Sequence, residues 1–340
     1  MNMGSREVYL HITTRQFYCS DCHHYFHEEL RFASPNAGHT HRQSDFMFLV
    51  AQQQSYARSA IILNMHPKTV ERTILSKCEK MINITENYAK VKRLGIDEQS
   101  HKKGKKDYIC VLTDLDSGTI VDMLPDRKKE TLVKHFQSLG KEFCDKITDI
   151  SCDNWKTYIN VAKECFPQAN IILDRFHFTK QLNESLSDYL SEVKPTLKPV
   201  LRDNKDFSKL KKIVNVQYHK LSDEEFDVLK NAFEKDDKLK ELYFNREKFH
   251  HILDNNTEQA IALQQINDWI KNTQEKQFSY FDNFIQSLNS TKVYIANYVK
   301  DRLSNAVTEG LNNIIRVVKR FSFGMPSFKN LRLRSLAFLL

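Results

Sequence analysis

The sequence predicts an α/β protein built on a mixed five-stranded sheet, into which a large all-helical block is inserted. Two observations predict this class. Short apolar segments rich in Val, Ile and Leu recur between residues 93 and 173, and helical periodicity separates the later ones. No glycine occurs between residues 141 and 309 and no proline between 200 and 325, and the absence of these breakers favours helix.

The composition indicates a folded protein. The chain has 340 residues, which suggests about two domains, and 41% of them are hydrophobic, which is enough for a core. No apolar run approaches the roughly 20 residues that span a bilayer, and the N-terminus lacks the apolar stretch of a signal peptide. We therefore expect a soluble, cytoplasmic protein. The net charge of +8 is compatible with an anionic partner without identifying one.

The first 90 residues are predicted to contain an irregular segment and then helices. Residues 1–43 look irregular, whereas residues 44–90 are helical. A helix over 55–63 is followed by a turn, and Pro67 suits the first position of a second helix. This spacing is typical of a helix-turn-helix with 67–80 as the recognition helix, although an ordinary helical hairpin would look the same.

Five strands are predicted in the middle of the chain. The first three are expected to pair antiparallel, and the last two follow helices and therefore require parallel pairing. The strands are assigned to residues 93–97, 108–113, 119–123, 147–152 and 170–173. Residues 195–300 form the helical block, in which Ser222 and Glu225 make a capping box, and a last helix is expected over 301–320.

Three carboxylates could form a site. Asp97 is expected to end the first strand, and Asp153 follows the fourth. Ligand sites of open α/β sheets lie at the carboxyl ends of strands, where two such carboxylates can share a divalent cation. Glu309 is the third candidate, although strand-end Asp residues are often caps and a polar helix face is often simply solvated. The helical stripe around Glu309 consists of Asn305, Asn312, Asn313 and Arg316.

Five motifs occur in a characteristic order along the chain. They are Gly95-Ile-Asp97-Glu98, Ser151-Cys-Asp153-Asn-Trp155-Lys-Thr-Tyr158, Phe166-Pro-Gln-Ala169, Asp174-Arg-Phe-His177 and Asn305-Ala-Val-Thr-Glu309-Gly-Leu-Asn312-Asn313. Together they resemble the transposases of the bacterial insertion-sequence family called ISL-three. The resemblance extends from about residue 15 to the C-terminus.

The resemblance implies an RNase H-like core with a DDE triad, formed here by Asp97, Asp153 and Glu309. It implies a transposase that uses two Mg²⁺ or Mn²⁺ ions to cleave double-stranded DNA at transposon ends and to join the 3′-hydroxyl to target DNA. It also implies a homodimer when two ends are synapsed, and a nucleoid-associated location. An inactive, truncated copy that only binds DNA and a nuclease without strand transfer remain alternatives.

The same resemblance organises the chain into predicted domains. Residues 1–43 would be a partial zinc-ribbon-like segment, 44–90 the helix-turn-helix domain, and 91–194 the first part of the catalytic core. Residues 195–300 would be the helical insertion, and 301–340 the last core helix with a basic tail. Asp174, His177, Asn305 and Asn313 are possible supporting residues around the triad, although Asp174 and His177 could equally be structural.

Cys19 and Cys22 form half of a zinc site, because tetrahedral zinc needs four ligands. Relatives carry an earlier cysteine pair in a complete ribbon. Either this chain is an N-terminally truncated copy, or nearby histidines complete the site. The histidines within reach in sequence are His23, His24, His27, His39 and His41.

Excess positive charge flanks the first and last triad residues. Residues 92–106 hold six cations against two acids, and residues 311–340 hold six cations and no acid. We expect DNA contacts from three groups of residues: Lys68, Thr69 and Arg72; Lys102, Lys103, Lys105 and Lys106; and Arg316, Lys319 and Arg320. Neutralising the lysines at 102–106 is expected to flatten the salt dependence of DNA binding, whereas changes in the helical insertion are not.

Overall fold

The N-terminal segment contains two small antiparallel hairpins. The computed structural model describes residues 2–3, 6–35, 37–102, 107–201, 205–303, 305–325 and 327–338. The first hairpin pairs β1 (Asn2–Met3) with β2 (Arg6–Glu7), and the second pairs β3 (Gln16–Tyr18) with β4 (Tyr25–His27). The prediction that this segment is irregular is therefore wrong for these four strands.

Four helices follow, and the predicted helix pair is confirmed. They are α1 (His41–Ala51), α2 (Tyr56–Leu63), α3 (Pro67–Met81) and α4 (Ile84–Ala89). Ser55 caps α2, and Asn64 ends it in the left-handed region at φ 50°. Pro67 occupies the first turn of α3, as its fixed φ favours. Buried residues of α1, α2 and α3 form a hydrophobic cluster that the C-terminal residues Leu333 and Ala337 complete.

The central sheet has five strands, and its predicted mixed topology is confirmed. They are β5 (Arg93–Lys102), β6 (Asp107–Asp114), β7 (Thr119–Leu124), β8 (Asp149–Cys152) and β9 (Asn170–Leu173). Their order in the sheet is β7-β6-β5-β8-β9. The pairs β7–β6 and β6–β5 are antiparallel, and the pairs β5–β8 and β8–β9 are parallel. The expectation that Asp97 ends its strand is wrong, because antiparallel pairing with β6 carries β5 on to Lys102.

Helices connect the parallel strands and extend into the insertion. Alongside the sheet lie α5 (Lys129–Ser138), α6 (Lys141–Lys146) and α7 (Lys156–Cys165). The long α8 (Arg175–Leu197) leads to α9 (Asp206–Ile213), α10 (Asp223–Phe233), α11 (Asp237–Asn255), α12 (Gln259–Glu275) and α13 (Asp282–Ala296). Single 3-10 turns lie at Lys198–Val200, Tyr218–Lys220 and Ser279–Phe281.

The predicted helical block is confirmed in its details. The Ser222–Glu225 capping box forms as expected at the start of α10. Trp269 of α12 is buried, and its indole N–H donates to the Asn245 carbonyl at 2.8 Å, so it is a core residue. The insertion and the sheet share one hydrophobic cluster. No helix in the described part of the chain is long and apolar enough to span a bilayer.

The C-terminal region differs from the prediction of one helix and a basic tail. It contains α14 (Tyr298–Asp301), α15 (Ala306–Phe321) and α16 (Phe328–Ala337). The predicted helix over 301–320 starts too early, because Arg302 adopts φ 51° and ends α14. Residues 328–337 are not a tail, because Leu331 and Leu336 pack into the sheet-side core while Leu333 and Ala337 pack into the cluster of α1 to α3.

We expect Gly95→Ala to destabilise the protein by about 1–3 kcal/mol through overpacking. A Cβ at Gly95 would lie 2.9 Å from both Leu115 Cδ2 and Thr308 Oγ1, and closer still to Thr113 Oγ1. The two threonine hydroxyls are hydrogen-bonded at 2.8 Å and join β6 to α15. Thermal denaturation would measure the loss. Gly38→Ala is the matched control, because no atom lies within 4 Å of the added Cβ, and equal melting temperatures for both variants would contradict the prediction.

Candidate active site

Three carboxylates follow the last row of residues that pairs the parallel strands β5, β8 and β9. The last paired row joins Ile96 of β5 to Cys152 of β8, and Cys152 to Leu173 of β9. An aspartate is the next residue along the chain in each case: Asp97 within β5, Asp153 directly after β8 and Asp174 directly after β9. Because the three aspartates follow the same paired row, the backbone register itself brings the three carboxylates close together where β8 and β9 end.

His177 joins two of these carboxylates. It lies in the first turn of α8, and its Nε2 is 3.0 Å from Asp153 Oδ1. A possible metal-ligand cluster is formed by Asp153, Asp174 and His177, whose ligand atoms lie within 4.8 Å of one another. In the described part of the chain it is the only such cluster of three or more histidines, cysteines or carboxylates. The hydrogen bond to Asp153 raises the pKa of His177, whereas burial opposes that shift. Asp174 also caps α8 by accepting the Phe176 N–H.

Asp97 is a half-buried carboxylate that interacts with the charge of Asp153. Burial, and then the charge of Asp153, raise the pKa of Asp97 to about 7. Its carboxylate accepts hydrogen bonds from the Glu98 N–H and from Asn312 Nδ2, both at 2.7 Å. Two carboxylates that repel each other in a half-buried site are stabilised when a cation binds between them.

Glu309 lies on a helix that docks against β5 beside Asp97. It lies in the first turn of α15, with Asn305 one turn before it and Asn312 three residues after it. Asn305 Nδ2 lies 3.5 Å from the Ile96 carbonyl, so both asparagines dock the helix on β5 beside Asp97. The Glu309 side chain is exposed, and it does not belong to the cluster around Asp153.

The asparagine that contacts Asp97 is Asn312, whereas its neighbour Asn313 is the predicted supporting residue. Asn313 is exposed, whereas Asn312 is 4% exposed and contacts Asp97. The Asn312 carbonyl in turn accepts a hydrogen bond from Gln99 Nε2 at 3.1 Å. The sequence places both asparagines on one stripe, and only the docked orientation of α15 distinguishes them.

Arg127 is a feature of the site that sequence reasoning missed. It forms an ion pair with Glu98, and Tyr158 OH donates to the second oxygen of Glu98 at 3.2 Å. The guanidinium lies between the rings of Tyr108, at 4.1 Å, and Trp155, at 4.5 Å. Glu98 is therefore already neutralised, although it is adjacent in sequence to the row of carboxylates. No local sequence signal reveals this set, because its members come from four separate elements.

The donor set fits a hard divalent cation. Asp97 and Asp153 offer carboxylate oxygens, the ligands that Mg²⁺ and Mn²⁺ prefer. Burial and the charge of Asp153 raise the pKa of Asp97, so a bound cation would stabilise its charged form. Asp174 and His177 offer further donor atoms at the same edge.

The predicted DNA contacts on α3 and α15 lie mainly on the surface. Lys68 and Arg72 of α3 are exposed, and Thr69 is half-buried. Arg316 and Arg320 of α15 are exposed as well. Each of these exposed cations can therefore reach an external anion.

Other cations of the two basic segments are already engaged within the fold. Lys319 Nζ donates to the Ser100 carbonyl at 2.6 Å, and burial lowers its pKa. Lys329 pairs with Glu79 at 2.8 Å. Lys102 lies 3.5 Å from Asp107. Lys103, Lys105 and Lys106 lie outside the described residues. The excess charge near residues 311–340 is thus less available to DNA than composition suggested.

Cys19 and Cys22 lie in the turn between β3 and β4. Hydrogen bonds from Cys22 lower the pKa of the Cys19 thiol. Within the described residues no third histidine, cysteine or carboxylate joins the pair as a metal-ligand cluster. The five candidate histidines are His23, His24, His27, His39 and His41; three have other partners, since His23 contacts Tyr18, His39 contacts Thr73 and His41 contacts Ser34.

The fold and the site define a mixed α/β protein with an acidic, cation-compatible site at the parallel edge of its sheet. Residues 94–335 match the sequence model of the ISL-three transposase family. Because this match covers well over half of the chain, the chain belongs to that family of transposases.

Two curated relatives support the same assignment. The chain is 23% identical over 317 residues to the transposase for insertion sequence element IS1557 of Mycobacterium tuberculosis, covering 87% of this chain and 71% of the relative. It is 23% identical over 335 residues to the transposase for insertion sequence element IS1001 of Bordetella parapertussis, covering 93% and 78%.

Proposed function

We propose that this protein is a DDE transposase with an RNase H-like core that cleaves DNA at the ends of its insertion sequence and joins the 3′-hydroxyl to target DNA. The observation that carries the proposal is the row of Asp97 and Asp153 with the helix of Glu309 docked beside it. Membership of a transposase family supports the class of reaction.

The chain's own residues have distinct roles in this proposal. Asp97, Asp153 and Glu309 would hold two divalent cations, which would supply charge neutralisation of the scissile phosphate and activation of a water or a 3′-hydroxyl. Asn312 orients Asp97 through its 2.7 Å hydrogen bond. His177 Nε2 lies 3.0 Å from Asp153 Oδ1 and would hold that carboxylate in place.

DNA recognition is proposed for the helices before the sheet. The α2–turn–α3 arrangement has helix-turn-helix spacing, with α3 as the recognition helix. Lys68, Thr69 and Arg72 would contact the transposon end, and Arg316 and Arg320 of α15 the backbone near the site. Synapsis of two ends favours a homodimer.

A strand-transfer assay tests the proposed function. Duplexes carrying the element's own terminal repeats would be incubated with the full chain, target plasmid and Mg²⁺ or Mn²⁺. Joining of the end to the plasmid supports a transposase. Cleavage without joining would instead indicate a nuclease, and DNA binding without cleavage an inactive copy.

We expect Arg72→Ala to weaken binding to the terminal repeat by about 1–3 kcal/mol and to relax sequence preference. Arg72 is exposed on α3, where a recognition helix would meet base edges. Electrophoretic mobility shifts with repeat and scrambled duplexes would measure both effects. Lys90→Ala is the control, because Lys90 pairs with Glu86 outside α3. An equal loss on both duplexes would identify a phosphate contact and contradict a role in sequence readout.

A further inference from the structure

A large cavity lies in the helical insertion, next to the carboxylate row. This insertion cavity has a volume of about 870 Å³ and is bordered by α8, α11, the 3-10 turn at Tyr218–Lys220 and Arg302. Arg175 lines it and directly follows Asp174, and Arg302 lines it three residues before Asn305. Its size is within the range of about 300–1,000 Å³ that proteins use for small ligands. The chain therefore connects the carboxylate row to the cavity wall directly at Asp174–Arg175.

The cavity wall carries excess positive charge. Its two acids are engaged, because Asp254 forms an ion pair with Arg175 and Glu247 one with Arg246. Lys220 and Lys248 are exposed on the wall and have no ion-pair partner in the described part of the chain. Arg302 also lines the wall, and its guanidinium donates to the Asp254 backbone carbonyl. These three cations favour an anionic ligand.

A buried donor without a partner borders the same cavity. His250 is 6% exposed, and its Nδ1 lies 3.4 Å from Arg175 Nη2. Because a guanidinium only donates, Nδ1 accepts and the ring hydrogen is on Nε2, which has no hydrogen-bond partner. Burial, and then the charges of Arg246 and Arg175, lower the pKa of His250 to about 3, so the ring is neutral. An unsatisfied buried donor is costly in free energy.

An exposed aromatic side chain in the cavity favours a nucleotide over other anionic ligands. Phe244 of α11 lines the cavity and is 38% exposed, and the ring of Tyr218 lies 6.0 Å away. Bases of single strands stack on such rings, whereas a free phosphate or an acidic peptide gains little from them. Phe244 also contacts the rings of Phe233 and Tyr243, at 5.8 and 5.7 Å, so one part of its ring is held by the fold and the rest is exposed. Cations beside a partly exposed aromatic ring are the combination that binds single-stranded nucleic acid.

We propose that the insertion cavity holds an unpaired nucleotide of the DNA strand that leaves the carboxylate row. Lys220, Lys248 and Arg302 bind its phosphates, and Phe244 stacks on its base. This inference rests on the proposed function, because it assumes a DNA substrate. It also revises the expectation that changes in the helical insertion leave the salt dependence of binding unaltered.

Binding of a single strand tests the phosphate contacts. Fluorescence anisotropy of a labelled 20-nucleotide oligothymidine would be measured with the full chain in EDTA over a salt series. We expect Lys220→Gln/Lys248→Gln to weaken binding about tenfold at low salt and to reduce the slope of log K against log salt by about 1.4, at roughly 0.7 per phosphate. Lys230→Gln/Lys271→Gln, two exposed lysines of the insertion outside the cavity wall, is the matched control.

Several outcomes would overturn the proposal. They are no binding of the oligothymidine by the wild type, an unchanged slope in the cavity variant, or an equal change in the control. Tight binding of pyrophosphate in calorimetry that Lys220→Gln/Lys248→Gln abolishes, with oligothymidine binding unchanged, would identify a free-anion site instead. Because EDTA removes the metal, a negative result here is distinguishable from failure of the cleavage assay.

A second variant tests the base contact. We expect Phe244→Ala to weaken oligothymidine binding about tenfold and to leave binding of an abasic oligonucleotide of equal length unchanged, since stacking requires a base. Equal losses on both strands would show that Phe244 only shapes the wall and would overturn base stacking. Matching circular dichroism melts of variant and wild type would confirm that the fold is intact.

Discussion

Asp153→Asn is expected to reduce metal-dependent strand cleavage by on the order of 10³-fold while binding of the terminal repeat persists. Asp153 lies one residue beyond the last parallel row, where it faces Asp97 on β5 and bonds His177 on α8. The amide keeps the shape and one acceptor oxygen but removes the negative charge that a divalent cation requires. Because no recognition contact is proposed for Asp153, affinity for DNA should change little.

The control lies at the other end of the same strand. Asp149 begins β8 and bonds Thr148 and Asn170 at the edge away from the carboxylate row. Asp149→Asn should therefore keep cleavage near the wild-type rate. Cleavage by Asp153→Asn at the wild-type rate on a labelled terminal-repeat duplex would refute the assigned site.

The Asp97→Asn variant distinguishes chemistry from folding. Burial and the charge of Asp153 disfavour the Asp97 carboxylate in the folded protein, so its neutral replacement should be at least as stable as the wild type above pH 7 in EDTA. The folded-state pKa of Asp97, about 7, exceeds the value in the unfolded chain. The protonated carboxyl therefore contributes to the free energy of unfolding at low pH, and this contribution is lost as the pH rises to 7. Loss of cleavage together with retained or raised thermal stability would support a role in ion binding.

Much of the fold was predictable because its signals are local. The five strands and the helix-turn-helix spacing follow from apolar periodicity and from Pro67 at a helix start. The closeness of Asp97 and Asp153 follows from the parallel pairing of their strands, although β5 continues past Asp97. The place of Asp174 in the same row needed the register between β8 and β9, which no local pattern specifies.

Contacts between distant segments were not predictable. Asn312 rather than Asn313 reaches Asp97 because of the rotation of α15 about its axis, which depends on packing against β6 and β7. The pair of Glu98 and Arg127 joins β5 to the loop after β7. Composition alone could not distinguish a cationic side chain that faces solvent from one that forms hydrogen bonds or ion pairs within the fold.

The basic C-terminal segment illustrates this limit. Its charge and position suggested a DNA-binding tail, yet α16 packs between the sheet and the N-terminal helices. Arg332 forms an ion pair with the buried Asp122 of β7 at 2.6 Å. Arg334 is 5% exposed and reaches the C-terminal end of α1. These two arginines join the proposed DNA-recognition helices to the core, so their charge stabilises the fold.

Arg334→Met is accordingly expected to destabilise the protein by about 3 kcal/mol, the loss typical of hydrogen bonds from a buried charged group. The guanidinium donates to the carbonyls of Ala51, Gln52 and Gln54, at the end of α1 where helix carbonyls lack internal partners. It also donates to Ser322 Oγ at 2.8 Å and lies 4.9 Å from the Tyr56 ring. Methionine fills similar space but leaves these acceptors unpaired in a buried site.

Thermal denaturation would measure this loss as a fall in melting temperature of about 6–12 °C, at roughly 2–4 °C per kcal/mol. Hydrogen exchange should show the largest loss of protection in α1, because the carbonyls at its end lose their partner. Arg320→Met is the matched control: Arg320 is exposed on α15, so its replacement should change stability by less than about 0.5 kcal/mol. If Arg334→Met and Arg320→Met had the same melting temperature, Arg334 would not be the side chain through which α16 holds the N-terminal helices to the core. A selective loss in Arg334→Met would instead show that the positive charge of α16 acts within the fold.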